Sequence, residues 1–73
     1  MGLGIPGEIV SINGMTAVIE CWGTQKQVHL DAFAGALLPG DFVIEHDGTV
    51  VRRLAPDDVN DTLALYEAVL AEA

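Results

Sequence analysis

Few side chains in this sequence could do chemistry: Cys21, the only cysteine; Ser11, the only serine; and two histidines, His29 and His46. A thiolate could attack an electrophile or hold a soft metal, and an imidazole could move a proton or bind a metal. Their spacing assembles neither. A closed zinc site takes four ligands, usually in closely spaced pairs, and Cys21, His29 and His46 form no such pair. Ser11 falls within a strand-like run and has no base near it in sequence, so nothing activates its hydroxyl. Gly2, Gly4 and Gly7 imitate a phosphate-binding loop, but no helix follows them to present its N-terminus. No catalytic residue is assigned, and the chain is expected not to be an enzyme.

Each of these residues also has a structural role to fill. Cys21 falls on the apolar side of an alternating segment and reads as a buried, inert thiol. His29 alternates against Val28 and Leu30, so it points to solvent. His46 closes an apolar strand just before Asp47-Gly48, and by residue chemistry alone it is a polar strand end beside a turn. Trp22 stands at a turn, placed either to fold onto the body of the protein or to meet a partner.

Charge narrows the partners. The chain has three basic residues (Lys26, Arg52 and Arg53) against eleven acids, a formal net charge of -8. Phosphate backbones and anionic lipid surfaces are bound by clustered Lys and Arg, so neither nucleic acid nor a membrane is an expected partner. A basic protein surface would be attracted.

The length of 73 residues accommodates one domain, 1–73, and the 51% apolar content favours a dense small core. A single Cys excludes an internal disulfide and fits a reducing compartment. No apolar run approaches the ~20 residues that span a bilayer, and no charged leader precedes an apolar stretch. Met1-Gly2 invites lipidation, but Pro6 stands where that signal wants Ser or Thr. A cytoplasmic location is expected.

The elements that must position these residues are short strands. Residues 5–12 read as the first, ended by Asn13-Gly14, a strong hairpin signal. Residues 15–21 alternate, with Met15, Ala17, Ile19 and Cys21 on one side. Trp22-Gly23 turns into a third strand, 24–30, with Val28 and Leu30 inward. Residues 31–40 are too apolar for a plain solvent loop and predict a helical turn or a folded-over loop covering one end. Residues 42–46 and 49–54 flank the Asp47-Gly48 turn. Pro56 suits the first position of a helix running to about residue 71, with Asp57, Asp58 and Asp61 near its positive end. Val59, Leu63, Tyr66 and Leu70 line one face, widened by Leu65 and Val69. That stripe reads as core packing. The pattern predicts a mainly β fold: a small five-stranded antiparallel barrel of oligonucleotide-binding (OB) shape over about 4–54, with a C-terminal α-helix over about 56–71 packed outside it.

Four stretches together carry a family resemblance. They are Leu3-Gly4-Ile5-Pro6-Gly7 leading into an Ile-Val strand and Asn13-Gly14; Gly23-Thr24-Gln25-Lys26-Gln27-Val28; Gly40-Asp41-Phe42-Val43-Ile44-Glu45-His46; and Asp61-Thr62-Leu63 with Tyr66. Their order and spacing resemble the HypC/HupF family of [NiFe]-hydrogenase maturation chaperones along nearly the whole length. The resemblance implies a chaperone that pairs with a HypD scaffold protein while an iron acquires its ligands. It then delivers the Fe(CN)2(CO) group to the precursor of the hydrogenase large subunit. It implies no permanently bound cofactor, only this transient cargo. In the family a Cys at position 2 ligates the iron, and a His at the end of the fourth strand is implicated beside it. Here His46 matches the second position, as a possible metal ligand. Gly2 stands at the first and offers no side-chain donor. Gly2, Leu3, Gly4, Ile5, Pro6 and His46 are the expected partner-binding residues. The alternative is a Cys-less paralogue using the same barrel as a non-catalytic interaction or structural subunit.

Overall fold

The computed structural model describes residues 4–71; Gly2 and Leu3 lie outside the described residues, as does the side chain of Leu70. Strands β1 (Ile5–Asn13), β2 (Thr16–Cys21), β3 (Thr24–His29), β4 (Phe42–His46) and β5 (Thr49–Arg53) close into a barrel in the order β1-β2-β3-β5-β4. A 3-10 turn (Pro56–Asp58) leads into the helix α1 (Val59–Ala71). The barrel and terminal helix are as the sequence pattern predicts. Most pairings are antiparallel, but β3 and β5 join in parallel through one bridge, His29 with Thr49. This seam is the thinnest part of the wall. His29 N–H donates to the Gly48 carbonyl across it at 2.8 Å.

Alternation builds the core. Ile9, Ala17, Ile19, Val28, Leu30, Val43 and Val50 point inward from all five strands or their ends and form one cluster. Burying each Ile, Val or Leu contributes ~1.5–3 kcal/mol. Phe33 and Leu37 pack against the cluster from the loop between β3 and β4. Residues 31–40 therefore take the folded-over form of the two that their composition allowed, with turns but no helix.

The first turn is displaced by one residue from the Asn13-Gly14 expectation. Asn13 pairs with Thr16, so the two-residue loop is Gly14-Met15. Gly14 has φ 63°, the left-handed value that the first loop position of a type II′ hairpin demands. Thr16 Oγ1 closes the turn by donating to the Asn13 carbonyl at 3.0 Å. This overturns the inward placement of Met15, which sits in the loop and is 58% exposed. Trp22-Gly23 and Asp47-Gly48 turn where expected, each with two positive φ angles as a type I′ hairpin requires.

A second buried patch lies on the outer face of the wall. Pro6 pairs with Ile44, one residue out of phase with the inward Gly7–Val43 pair. Both are nevertheless buried, as is Leu54 just after β5, and none of the three belongs to the inner cluster. An outward side chain is buried only where something lies over it. The terminal helix leaves the barrel beside Leu54, and its far half is tied to the β2–β3 turn, where Trp22 Nε1–H donates to Glu67 at 3.3 Å. Val59, Leu63 and Tyr66 are half-buried, in keeping with their shared face. Leu65, at 64% exposure, and Val69 are not buried, so the packed stripe is narrower than the sequence suggests.

Candidate functional site

The leading strand lies against β4. Ile5 pairs with Glu45, Pro6 with Ile44, Gly7 with Val43 and Glu8 with Phe42. Gly4 is half-buried one step earlier, with φ 79°. An added Cβ there would come within 2.7 Å of Ile44 Cγ2 and 3.0 Å of the Glu45 carbonyl oxygen. Only a residue without a side chain lets the leading segment approach β4 so closely in this conformation. The chain thus enters the barrel beside the strand end that carries His46.

His46 is half-exposed, its side chain 43% accessible, and Nε2 lies 3.3 Å from Asp47 Oδ2. It pairs with Thr49 across the hairpin. The other expected site residues divide. Ile5 is exposed at 42%, while Pro6 is fully buried, so its side chain is not open to a partner as the sequence suggested. Gly2 and Leu3 fall outside the described residues.

Behind His46 is a group that sequence reasoning missed. Glu45 points inward and is only 3% exposed, the single buried charged residue among those described. Both of its oxygens are engaged. Oε1 lies 3.2 Å from Lys26 Nζ on β3, and Oε2 accepts the Gly48 N–H at 3.0 Å. Lys26 pairs with the inward-facing Ile19, so it too starts from the inner face and reaches across the barrel end. The available signal was periodicity: Glu45 has the phase of the core residue Val43, as Lys26 has that of Val28.

Cys21 is half-buried, less enclosed than expected. Burial pushes its thiol pKa up, the Glu45 charge adds to the rise, Lys26 partly offsets it, and Glu20 contributes further. The protonated thiol is neither a nucleophile nor a ready ligand. Among the described residues no three His, Cys, Asp or Glu side chains are grouped to hold a metal ion.

One groove of about 300 Å³ lies elsewhere, at the base of the helix, lined by Gly40, Asp41, Phe42, Leu54, Pro56, Val59 and Asn60. Its carboxylate, Asp41, is occupied: it accepts the Leu38 N–H at 2.8 Å and lies 3.6 Å from Arg53 Nε. No described helix is long and apolar enough to cross a membrane.

The comparisons with known proteins place the sequence in a family. The HupF/HypC family matches residues 1–66, most of the chain. This chain belongs to the HupF/HypC family. It is 33% identical over 72 residues to the hydrogenase maturation factor HypC of Helicobacter hepaticus, covering 96% of this chain and 83% of that one. It is 31% identical over 67 residues to the HypC of Cupriavidus necator, covering 90% and 73%. His46 and the leading segment are thus both inside the matched region of a HupF/HypC protein. So are Lys26 and Glu45.

Proposed function

We propose that this protein is a non-catalytic chaperone of [NiFe]-hydrogenase maturation, and that it docks a HypD-like scaffold or the large-subunit precursor through its leading segment and His46. The observation that carries this reading is the in-register pairing of β1 with β4, which ends at Ile5–Glu45 and so brings the chain's entry beside His46. An exposed strand start next to a half-exposed imidazole is a surface that a second protein can reach.

The Fe(CN)2(CO) group is the cargo of this assembly line. Low-spin iron favours soft thiolate donors. Gly2 has no side-chain donor, and burial raises the pKa of the Cys21 thiol. Among the described residues His46 is the imidazole donor of this face, with the hard carboxylate of Asp47 beside it, so the partner supplies the soft ligands and this chain serves as the docking half of the complex. The same two observations favour one second reading, a family member that acts only as an interaction subunit.

Co-purification from cells making hydrogenase tests the proposal. Wild-type protein is expected to recover a HypD-like scaffold or a large-subunit precursor, and His46→Ala to recover much less. Equal recovery by His46→Ala, or recovery of an unrelated assembly in place of both partners, overturns it.

A further inference from the structure

We infer that Glu45 is the positioning residue of the docking face: it fixes the Asp47-Gly48 turn, and through it His46, while Lys26 balances its charge. The proposal rests on the docking role of His46.

Glu45 stands where the barrel most needs a tie. It is paired through its backbone with Ile5 of β1 and Val50 of β5. Its side chain reaches Lys26 of β3 and the Gly48 amide of the β4–β5 turn. One residue therefore links four strands at the end where the leading segment enters. The β3–β5 seam beside it has a single bridge, and Gly48 is the node of that seam. Its N–H goes to Glu45 and its carbonyl accepts from His29.

The turn has an open donor to fix: Asp47 (φ 54°) and Gly48 form a type I′ pair that suits the left-handed region by itself, and what Glu45 adds is an acceptor for the Gly48 N–H. A carboxylate that accepts from the third turn residue selects this hairpin over its alternatives, and the preceding residue is His46. Core filling alone does not account for a glutamate here. Burying a carboxylate is costly, and an apolar residue of similar size fills such a place at least as well. The ion pair spans the thin seam, where a hydrophobic side chain could not bind the Gly48 N–H.

Two variants test this by nuclear magnetic resonance on the whole chain. Glu45→Leu keeps the volume and removes both acceptors; Glu45→Gln keeps one neutral acceptor for Gly48. In Glu45→Leu, Gly48 amide protection is expected to fall about tenfold, the worth of a hydrogen bond to a charged group. The cross-peaks linking His46 to Gly4 and Ile5 should weaken, while the methyl signals of Ile9, Ile19, Val28 and Val43 stay. Glu45→Gln should restore Gly48 protection and the cross-peaks in large part. A purely structural role would lower the thermal midpoint and leave those cross-peaks intact, and that result overturns the inference. If Glu45→Leu does not fold, Glu45→Gln decides: a folded variant in which Gly48 exchanges as freely as an exposed loop amide, with His46 unmoved, also overturns it. These readouts need no partner. Unchanged partner recovery by His46→Ala would remove the docking reading and leave the role of Glu45 in the turn standing.

Discussion

Gly7 of β1 lies so close to Cys21 of β2 that a Cβ at position 7 would come within 2.7 Å of the Cys21 sulfur, 3.0 Å of Ile19 Cδ1 and 3.1 Å of the Glu20 carbonyl oxygen. The two residues interlock on the inner wall. Gly7→Ala is expected to destabilise the barrel by about 1–3 kcal/mol, the usual cost of overpacking. Cys21→Ala in the same chain should recover part of that loss. A double-mutant cycle by urea denaturation measures the coupling, and additive effects would mean that the sulfur is not the obstacle.

The chemistry of Cys21 follows from its surroundings. Burial and the Glu45 charge raise its pKa, so the thiol stays protonated where a free one begins to ionise. Alkylation at pH 8 should be slower than for a free cysteine. The folded pKa lies above the unfolded one, so the contribution to stability is fully present below the ordinary thiol value of about 8.5 and is lost as pH rises through the folded value. Thermal midpoints taken above that range should fall in wild type more than in Cys21→Ala.

Trp22 is the only tryptophan, so its emission reports on the helix tie. Glu67→Ala removes the acceptor of its indole N–H. The emission should shift to the red, while stability changes by less than about 1 kcal/mol, because the bond is exposed. Leu63→Ala should cost more than Leu65→Ala, which is expected within about 0.5 kcal/mol of wild type because Leu65 is exposed.

Position 2 is the chemical test of the cargo. Gly2→Cys restores the thiol that the family resemblance implies at this position. After purification with a HypD-like partner, the variant should show stronger cyanide and carbonyl infrared bands than wild type. Equal bands in both proteins would mean that residue 2 takes no part in holding the iron.

Much of the barrel was legible because short-range rules govern it. Val28 is buried between polar Gln27 and His29, and the Trp22-Gly23 and Asp47-Gly48 pairs offer the left-handed conformations that two-residue hairpins require. The expected fourth strand, 42–46, coincides with β4 residue for residue. The misplacements have local causes too. Gly14, not Asn13, takes the first loop position, so Met15 turns outward although it continues the apolar alternation.

By itself the sequence determined most strand phases and the turn chemistry, which depend on residues within a few positions of one another, and the net charge and family pattern, which need no contact across space. Only the tertiary structure decided that Glu45 is buried and bound rather than solvated, since its counter-charge, Lys26, lies 19 residues away on another strand. It also decided that Val59, Leu63 and Tyr66 are half-buried while Leu65 and Val69 stay exposed, which the shared apolar stripe alone does not separate. A buried charge or an outward apolar residue is stable only with a partner across space, and closure of the barrel is what brings those partners together.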